Sequence, residues 1–216
     1  MRTKKLYRKS AKREATRVAK REAIKAAAWE VFAEAGLDAA TVARIVTASG
    51  VSTGSFYNYF GSCEAVFAEV LADMIGIIRA RTQAARSASD DLGAMLQRSY
   101  KAFLDFVLET EGGLAFCARN QPHIRARLFG LENTGQVLDD LRADLAGALP
   151  EARFAPWEVG LIASLIFATG LEALLQAQAL PEVDTGALAD SMARLMMHGI
   201  GGWSDRPEKG PDTGLQ

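Results

Sequence analysis

The sequence predicts an all-α protein: a small three-helix head of helix-turn-helix type, followed by a larger helical bundle. Three observations predict it. Apolar residues recur at i, i+3, i+4 and i+7 along most of the 216 residues, which is the stripe of amphipathic helices. Glycine, proline and serine–aspartate clusters cut these stripes into pieces of helical length. No stretch alternates apolar and polar residues as a strand would, and no internal repeat stands out.

The first stripe is Ile24, Ala27, Ala28, Val31, Phe32 and Ala35, ended by Gly36. Thr41 is placed to cap a short second helix with Val42, Ile45 and Val46 on its inner face. Ser49-Gly50-Val51 reads as a tight turn in which Gly50 takes the left-handed conformation, with Val51 plugging the corner. Ser52 and Thr53 are placed to cap a third helix, too short to be stable alone. It turns Phe56 and Phe60 inward and leaves Ser55, Tyr57, Asn58 and Tyr59 outside. Val66, Phe67, Val70, Leu71, Met74 and Ile78 predict a fourth helix from Ser62 to about Arg86, broken by Ser87-Ala88-Ser89-Asp90. Further helices are expected over Asp91 to Thr110, Leu114 to Asn120, one long piece from Pro122 to about Leu149, Trp157 to about Gln178, and Thr185 to about Ile200. Pro150 to Pro156 is expected to be a loop.

The residues from Ala40 to Ser62, ATVARIVTASGVSTGSFYNYFGS, together with Phe32-Ala33-Glu34-Ala35-Gly36, resemble the DNA-binding signature of the TetR family of bacterial regulators. The resemblance covers about a quarter of the chain. It implies a DNA-binding domain whose third helix enters the major groove, a C-terminal domain that binds a small molecule and dimerises, and repression relieved by that molecule. The implied domains are a basic, flexible arm over 1–19, the helix-turn-helix domain over 20–66, a ligand-binding and dimerisation domain over 67–200 and a flexible tail over 201–216. The DNA-contacting candidates are Thr41, Ser52, Thr53, Gly54, Ser55, Tyr57, Asn58 and Tyr59. Tyr57 is placed for a phosphate and Ser55 for a base edge. One departure is chemical: where the family usually carries Lys after the serine that opens the fourth helix, this chain has Cys63, mostly an uncharged thiol at neutral pH.

Charge is segregated. Residues 1–25 hold eleven cations against Glu14 and Glu22, a net of +9, while the whole chain carries −1. A basic stretch abutting a DNA-reading unit is expected to neutralise phosphates and lay an arginine in the minor groove. Only Cys63 and Cys117 are present, without metal-ligand spacing, so neither disulfide, metal nor cofactor is expected. The basic N-terminus lacks the apolar segment of a signal peptide. The longest uncharged stretch, Val159 to Leu171, is too short to span a bilayer and reads as a buried helix. A cytoplasmic, nucleoid-associated location is expected.

The last two helices present more apolar surface than one subunit covers. Trp157, Leu161, Ser164, Leu165, Ala168, Leu171, Leu188, Met192, Leu195 and Met196 are therefore the candidates for a homodimer interface, with Gly160, Ala163 and Gly170 allowing close approach. For an effector pocket the candidates are Phe103, Phe106, Phe116, Phe129 and Phe167, with Arg119, His123 and Asn133 as polar groups to orient a ligand. The stretch from Phe103 to Phe129 resembles regulators that answer to fatty-acyl compounds. Gly50-Val51-Ser52-Thr53-Gly54 matches the G-x-S-x-G elbow of serine hydrolases, but that elbow needs a preceding strand and a partner histidine, and Ser52 follows a helical pattern. A helical interaction adaptor without DNA binding would explain the helices but leave the turn and the basic stretch unused. The expected partners are operator DNA, a second copy of the chain and a small effector, and no enzyme activity or membrane is expected.

Overall fold

The computed structural model describes residues 2–87, 91–129, 135–148, 155–179 and 182–199, and every regular element among them is an α-helix. The chain forms two compact units, each made of two stretches: Met1–Ile78 with Val107–Thr134, and Arg79–Phe106 with Gly135–Gln216.

Unit one contains α1 (Arg2–Ala35), α2 (Val42–Ser49), α3 (Thr53–Tyr57), α4 (Cys63–Ser87) as far as Ile78, the end of α5 (Leu92–Glu109) from Val107, α6 (Gly113–Arg119) and α7 (Gln121–Phe129). Its core is the stripe expected from the sequence: Ile24, Ala28, Phe32, Ile45, Phe56, Val66 and Phe67 are wholly buried. Each such large side chain contributes about 1.5–3 kcal/mol of transfer free energy. Phe116 of α6 completes this core. It stacks on Trp29 with centroids 4.3 Å apart and on Phe67 at 5.6 Å, and meets Phe32 edge-on.

The C-terminal end of α1 is closed by residues more than eighty positions away. Gly36 turns the chain with φ +76°, a conformation that calls for glycine, and packs against the Arg119 carbonyl, 3.4 Å from where a Cβ would stand. The side chain of Asn120, fully buried, donates to the Phe32 carbonyl at 3.0 Å and the Phe116 carbonyl at 2.8 Å, and accepts from the Leu37 amide at 2.7 Å. Arg119 donates to the Ala33 carbonyl at 2.9 Å. The Ala33 carbonyl at the helix end is thereby satisfied, and the Phe32 carbonyl, which also accepts from the Gly36 amide at 3.0 Å, gains a second donor. These contacts are why 107–134 folds with the head, and why the boundary does not fall at residues 66 and 67 as expected.

Unit two contains the rest of α4 and α5, α8 (Gly135–Ala148), α9 (Pro156–Ala177) and α10 (Thr185–His198). Glu158 reaches back to the Ala155 amide at 2.7 Å, and Asp184 caps α10 by accepting from the Ala187 amide at 3.0 Å. Arg79 makes a two-pronged ion pair with Asp140, and Arg86 pairs with Asp144. The buried Tyr100 donates to the Ile166 carbonyl at 3.1 Å, and Thr185 donates to Asp105 at 2.6 Å.

The long helix expected from Pro122 to Leu149 is described as α7, ending at Phe129, and α8, beginning at Gly135, and residues 130–134 between them lie outside the described residues. A further expectation is corrected. The basic stretch over 1–19 is helical, because α1 begins at Arg2. It is rich in lysine, arginine and alanine, holds no glycine or proline, and carries the Glu14–Arg17 pair at 2.8 Å one turn apart. The packed half of α1 supplies the nucleus, so extending the helix costs only propagation. The expected tail over 201–216 and the loop residues 150–154 lie outside the described residues.

Candidate nucleic-acid interface

The head places α2 and α3 around one tight turn. Thr41 is extended and accepts from the Arg44 amide at 3.3 Å, starting α2. Gly50 ends it with φ +68° and ψ +9°, donating to the Val46 carbonyl at 3.1 Å. A side chain at Gly50 would meet nothing within 4 Å, so the requirement is conformational alone. Ser52 is extended and accepts from the Ser55 amide at 3.2 Å, starting α3, and its hydroxyl donates to the Ser55 hydroxyl at 3.1 Å. Phe56 and Phe60 are buried and anchor α3 to the core.

This arrangement presents Thr41, Ser52, Thr53, Gly54, Tyr57 and Asn58 to solvent, while Ser55 and Tyr59 are half-buried. Tyr57 has 55% of its surface exposed although it is a large aromatic whose ring edge rests on Phe56. Packing therefore does not account for its outward position. Ser55 is less available than expected, since its hydroxyl is engaged by Ser52. Thr53 and Gly54, on the first turn of α3, are the more open positions.

Ser52 is a helix cap following another helix, which is the wrong setting for a nucleophile elbow. His123 lies elsewhere: its Nε2 is 2.9 Å from Asp38 Oδ1, and its ring meets Phe67 edge-on. Around the residues Leu37, Asp38, Glu64, His123 and Arg127 is a cavity of about 330 Å³.

Cys63 is the first residue of α4 and is buried, with Ser62 capping the helix by accepting from the Ala65 amide at 3.3 Å. Burial, assisted by the charge of Glu64, pushes the thiol above its ordinary range. The side chain thus belongs to the core of unit one rather than facing a phosphate. Beside the end of α3, the Arg21 guanidinium stands 5.2 Å from the Phe60 ring centroid and pairs with Glu69. Arg21 and Asn120 are positions that no local sequence pattern marks: apart from the Phe116 carbonyl, the partners of their side chains lie 39 to 88 residues away.

The eight effector-pocket candidates do not form one group. Phe116, Arg119 and His123 are committed inside unit one: Phe116 is the centre of its aromatic core, and the other two tie α6 and α7 to α1 and Asp38. In unit two Phe103 is half-buried against Gly170, where a Cβ would come within 3.3 Å of its ring, and Phe106 is buried under the Arg81 guanidinium, 5.0 Å from its centroid. Phe167 is half-buried there too. Asn133 and the side chain of Phe129 lie outside the described residues.

The interface candidates also divide. Trp157, Leu161 and Leu165, one stripe at i, i+4 and i+8 of α9, are 69%, 51% and 51% exposed. Ser164 and Ala168 flank them and are half-buried, as are Leu188, Leu195 and Met196 of α10. Leu171 and Met192 are buried and fill the core of unit two instead, while Met197, not anticipated, is exposed. By length and composition α9 is long and apolar enough to cross a membrane, more so than its uncharged run suggested. Its inner side is nevertheless core, with Ala163, Ile166, Leu174 and Ala177 buried.

A short capped helix, held by two phenylalanines and projecting small polar groups and one tyrosine, defines a helix-turn-helix DNA-binding protein. Residues 24–70 match the family described as bacterial regulatory proteins, tetR family. The chain carries the DNA-binding domain of that family and is a transcription regulator that binds DNA through it. No curated protein matches it significantly. Among solved structures, the fatty acid degradation regulator FadR from Bacillus halodurans is 20% identical, with 84% of this chain and 96% of that chain covered at a TM-score of 0.69. FadR from Bacillus subtilis in complex with stearoyl-CoA is 21% identical, covering 83% and 98% at 0.66. A fatty acid metabolism regulator from Clostridium perfringens is 20% identical, covering 82% and 98% at 0.63. These likenesses establish the fold across nearly the whole of those chains.

Proposed function

We propose that the protein is a homodimeric repressor that holds operator DNA with two copies of α3 and releases it when a fatty-acyl effector binds unit two. The observation that carries the DNA half is the exposed polar side of α3, Thr53, Gly54, Tyr57 and Asn58, beside a turn closed by Gly50. Thr53 and Ser55 face base edges, Tyr57 and Thr41 hold phosphates, and Asn58 and Tyr59 close the contact at the far end of α3. The dimer forms through the Trp157, Leu161 and Leu165 stripe. It sets the two α3 helices one helical turn of DNA apart, on the order of 34 Å.

The effector class is supported by the apolar candidates of unit two, Phe103, Phe106 and Phe167, and by a fold neighbour that was solved with stearoyl-CoA. Helix α4 is one continuous element whose first part belongs to unit one and whose last part, from Arg79, belongs to unit two. A ligand-dependent change in unit two therefore has a covalent, helical route to the head. Only its differential affinity for the DNA-competent and released states would shift the equilibrium. Such a regulator works in the cytoplasm, at the nucleoid.

Selecting genomic fragments bound by the purified protein identifies the operator, and gel retardation with long-chain acyl-CoA tests the effector. Tyr57→Ala should weaken operator binding by about tenfold, the loss of one hydrogen bond to a charged group, with helical content and dimer mass unchanged. Parent-like affinity of that variant at moderate salt would remove Tyr57 from the interface. Retention of the operator complex at saturating acyl-CoA would remove the effector class.

A further inference from the structure

We infer that the first half of α1, residues 2–20, is a second DNA-binding element: a basic helix that leaves the head beside α3 and lies on phosphates flanking the half-site without reading bases. This rests on the DNA-binding reading of the head and adds to it. Three observations carry it. First, α1 is one unbroken helix from Arg2 to Ala35, so its basic part is about 28 Å long, the span of roughly eight base pairs. Second, its exit point is fixed beside the residues that follow the reading helix, because the Arg21 guanidinium stands over the Phe60 ring and pairs with Glu69. The residues before Arg17 therefore continue outward from the end of the DNA-reading surface. Third, six of the nine cations of 2–20 share a side of the register: at 3.6 residues per turn Arg2, Lys5, Lys9, Lys12, Arg13 and Lys20 fall within an arc of about 100°, with Lys4, Arg8 and Arg17 outside it.

The helical form changes the chemistry expected of a basic arm. A helix is about 10–12 Å across and the minor groove about 6 Å wide, so this element cannot thread the minor groove as an extended arm does. What remains is neutralisation of phosphates along the outside of the duplex or across the wider groove, which is independent of sequence and sensitive to salt. The opposite side of the register holds Lys4, Tyr7, Ala11, Glu14, Ala15 and Val18. That side lacks the Trp, Phe and Leu surface with which an interfacial helix enters a membrane, and DNA is the partner its position favours.

The test separates a rigid helix from a charged tail by breaking the helix without changing its charge. Ala15→Pro removes the hydrogen bond to the Ala11 carbonyl and clashes with it, nine residues before the core begins at Ile24. Lys5→Gln, Lys9→Gln, Lys12→Gln and Arg13→Gln together remove charge and keep the helix. Both full-length variants are compared with the parent by hydroxyl-radical footprinting on the selected operator. Salt titrations then use arbitrary-sequence duplexes of about 20 and about 40 base pairs. The parent should protect phosphates beyond the half-site and bind the longer duplex more tightly than site number alone explains. Ala15→Pro should shorten the footprint, and the glutamine variant should flatten the log-affinity versus log-salt slope by about 0.9 per lost contact. An unchanged footprint and slope in Ala15→Pro would show a flexible tail and overturn the proposal. Parent-like DNA binding by both variants, with loss of binding to phosphatidylserine vesicles, would overturn it in favour of a membrane. If the parent binds neither duplex nor operator, the helix-turn-helix reading itself fails.

Discussion

Asn120 joins the two ends of the head's longest sequence separation through three hydrogen bonds, all out of water. Truncating it leaves the Leu37 amide without its partner in a site closed to solvent, while the Phe32 and Phe116 carbonyls keep the Gly36 and Asn120 amides. Asn120→Ala should therefore cost about 1–3 kcal/mol, read as a lower urea midpoint with an unchanged slope. The same variant should lose DNA binding only to the extent that it unfolds. A loss of under about 0.5 kcal/mol would show that water replaces the amide there. Cys63 shows the complementary case, where a single exchanged residue looks functional in sequence and proves to be packing. Its thiol is turned into the core, and burial keeps it protonated at neutral pH.

At the scale of elements, α3 is only five residues long and is held by its ends and its underside. Ser52 supplies the cap, Phe56 and Phe60 supply the anchor, and Gly50 supplies the direction of entry. Because Gly50 has φ +68° and open space around its α-carbon, Gly50→Ala isolates the conformational cost of a left-handed residue, about 1–2 kcal/mol. Thermal unfolding should register that loss. Operator affinity should fall further than stability alone explains, since relaxing the turn swings α3 out of register with the groove. Equal operator affinity for parent and variant would show that the turn tolerates the change without moving α3.

For the whole molecule, the outward stripe of α9, Trp157, Leu161 and Leu165, holds the most exposed large apolar side chains among the described residues of unit two. Leu161→Glu with Leu165→Glu should convert the dimer to monomer in sedimentation, since like charges would face each other across a two-fold axis. Operator affinity should then fall by orders of magnitude, because two tethered heads bind with the gain of effective concentration and one head does not. A double variant that sediments as a dimer would place the interface elsewhere. Unit two also has an acid limit. Its hydrogen bond from Arg79, reinforced by the guanidinium charge, holds Asp140 below the ordinary carboxylate range. A depressed folded pKa means stability that is full above the unfolded value, about 3.9, and is lost as pH falls through the folded one. Arg79→Met should reduce the stability difference between neutral and strongly acid pH, measured by denaturant titration at each pH.

The helical class, the bounds of α2, α3, α5, α9 and α10, and the exposed polar side of α3 are legible in sequence because their determinants are local. Caps at Thr41, Ser52 and Asp184, the turn at Gly50 and the 3.6-residue stripes all act within a few residues of one another. The structure alone decides what depends on distant partners. Phe116 reads like any aromatic on a helical stripe, and only its stacking on Trp29 and Phe67 makes it core of the head. The same holds for residues 107–134, drawn to unit one by Asn120 and Arg119, and for Leu171 and Met192, which fill unit two while Trp157, Leu161 and Leu165 stay outside. An amphipathic pattern tells a helix which side is apolar, but burial on that side is shared among neighbours that the chain brings together only when it folds. The basic stretch turned on a similar competition: its charge suggested a coil, and its attachment to a packed helix, which removes the cost of nucleation, made it an extension of α1.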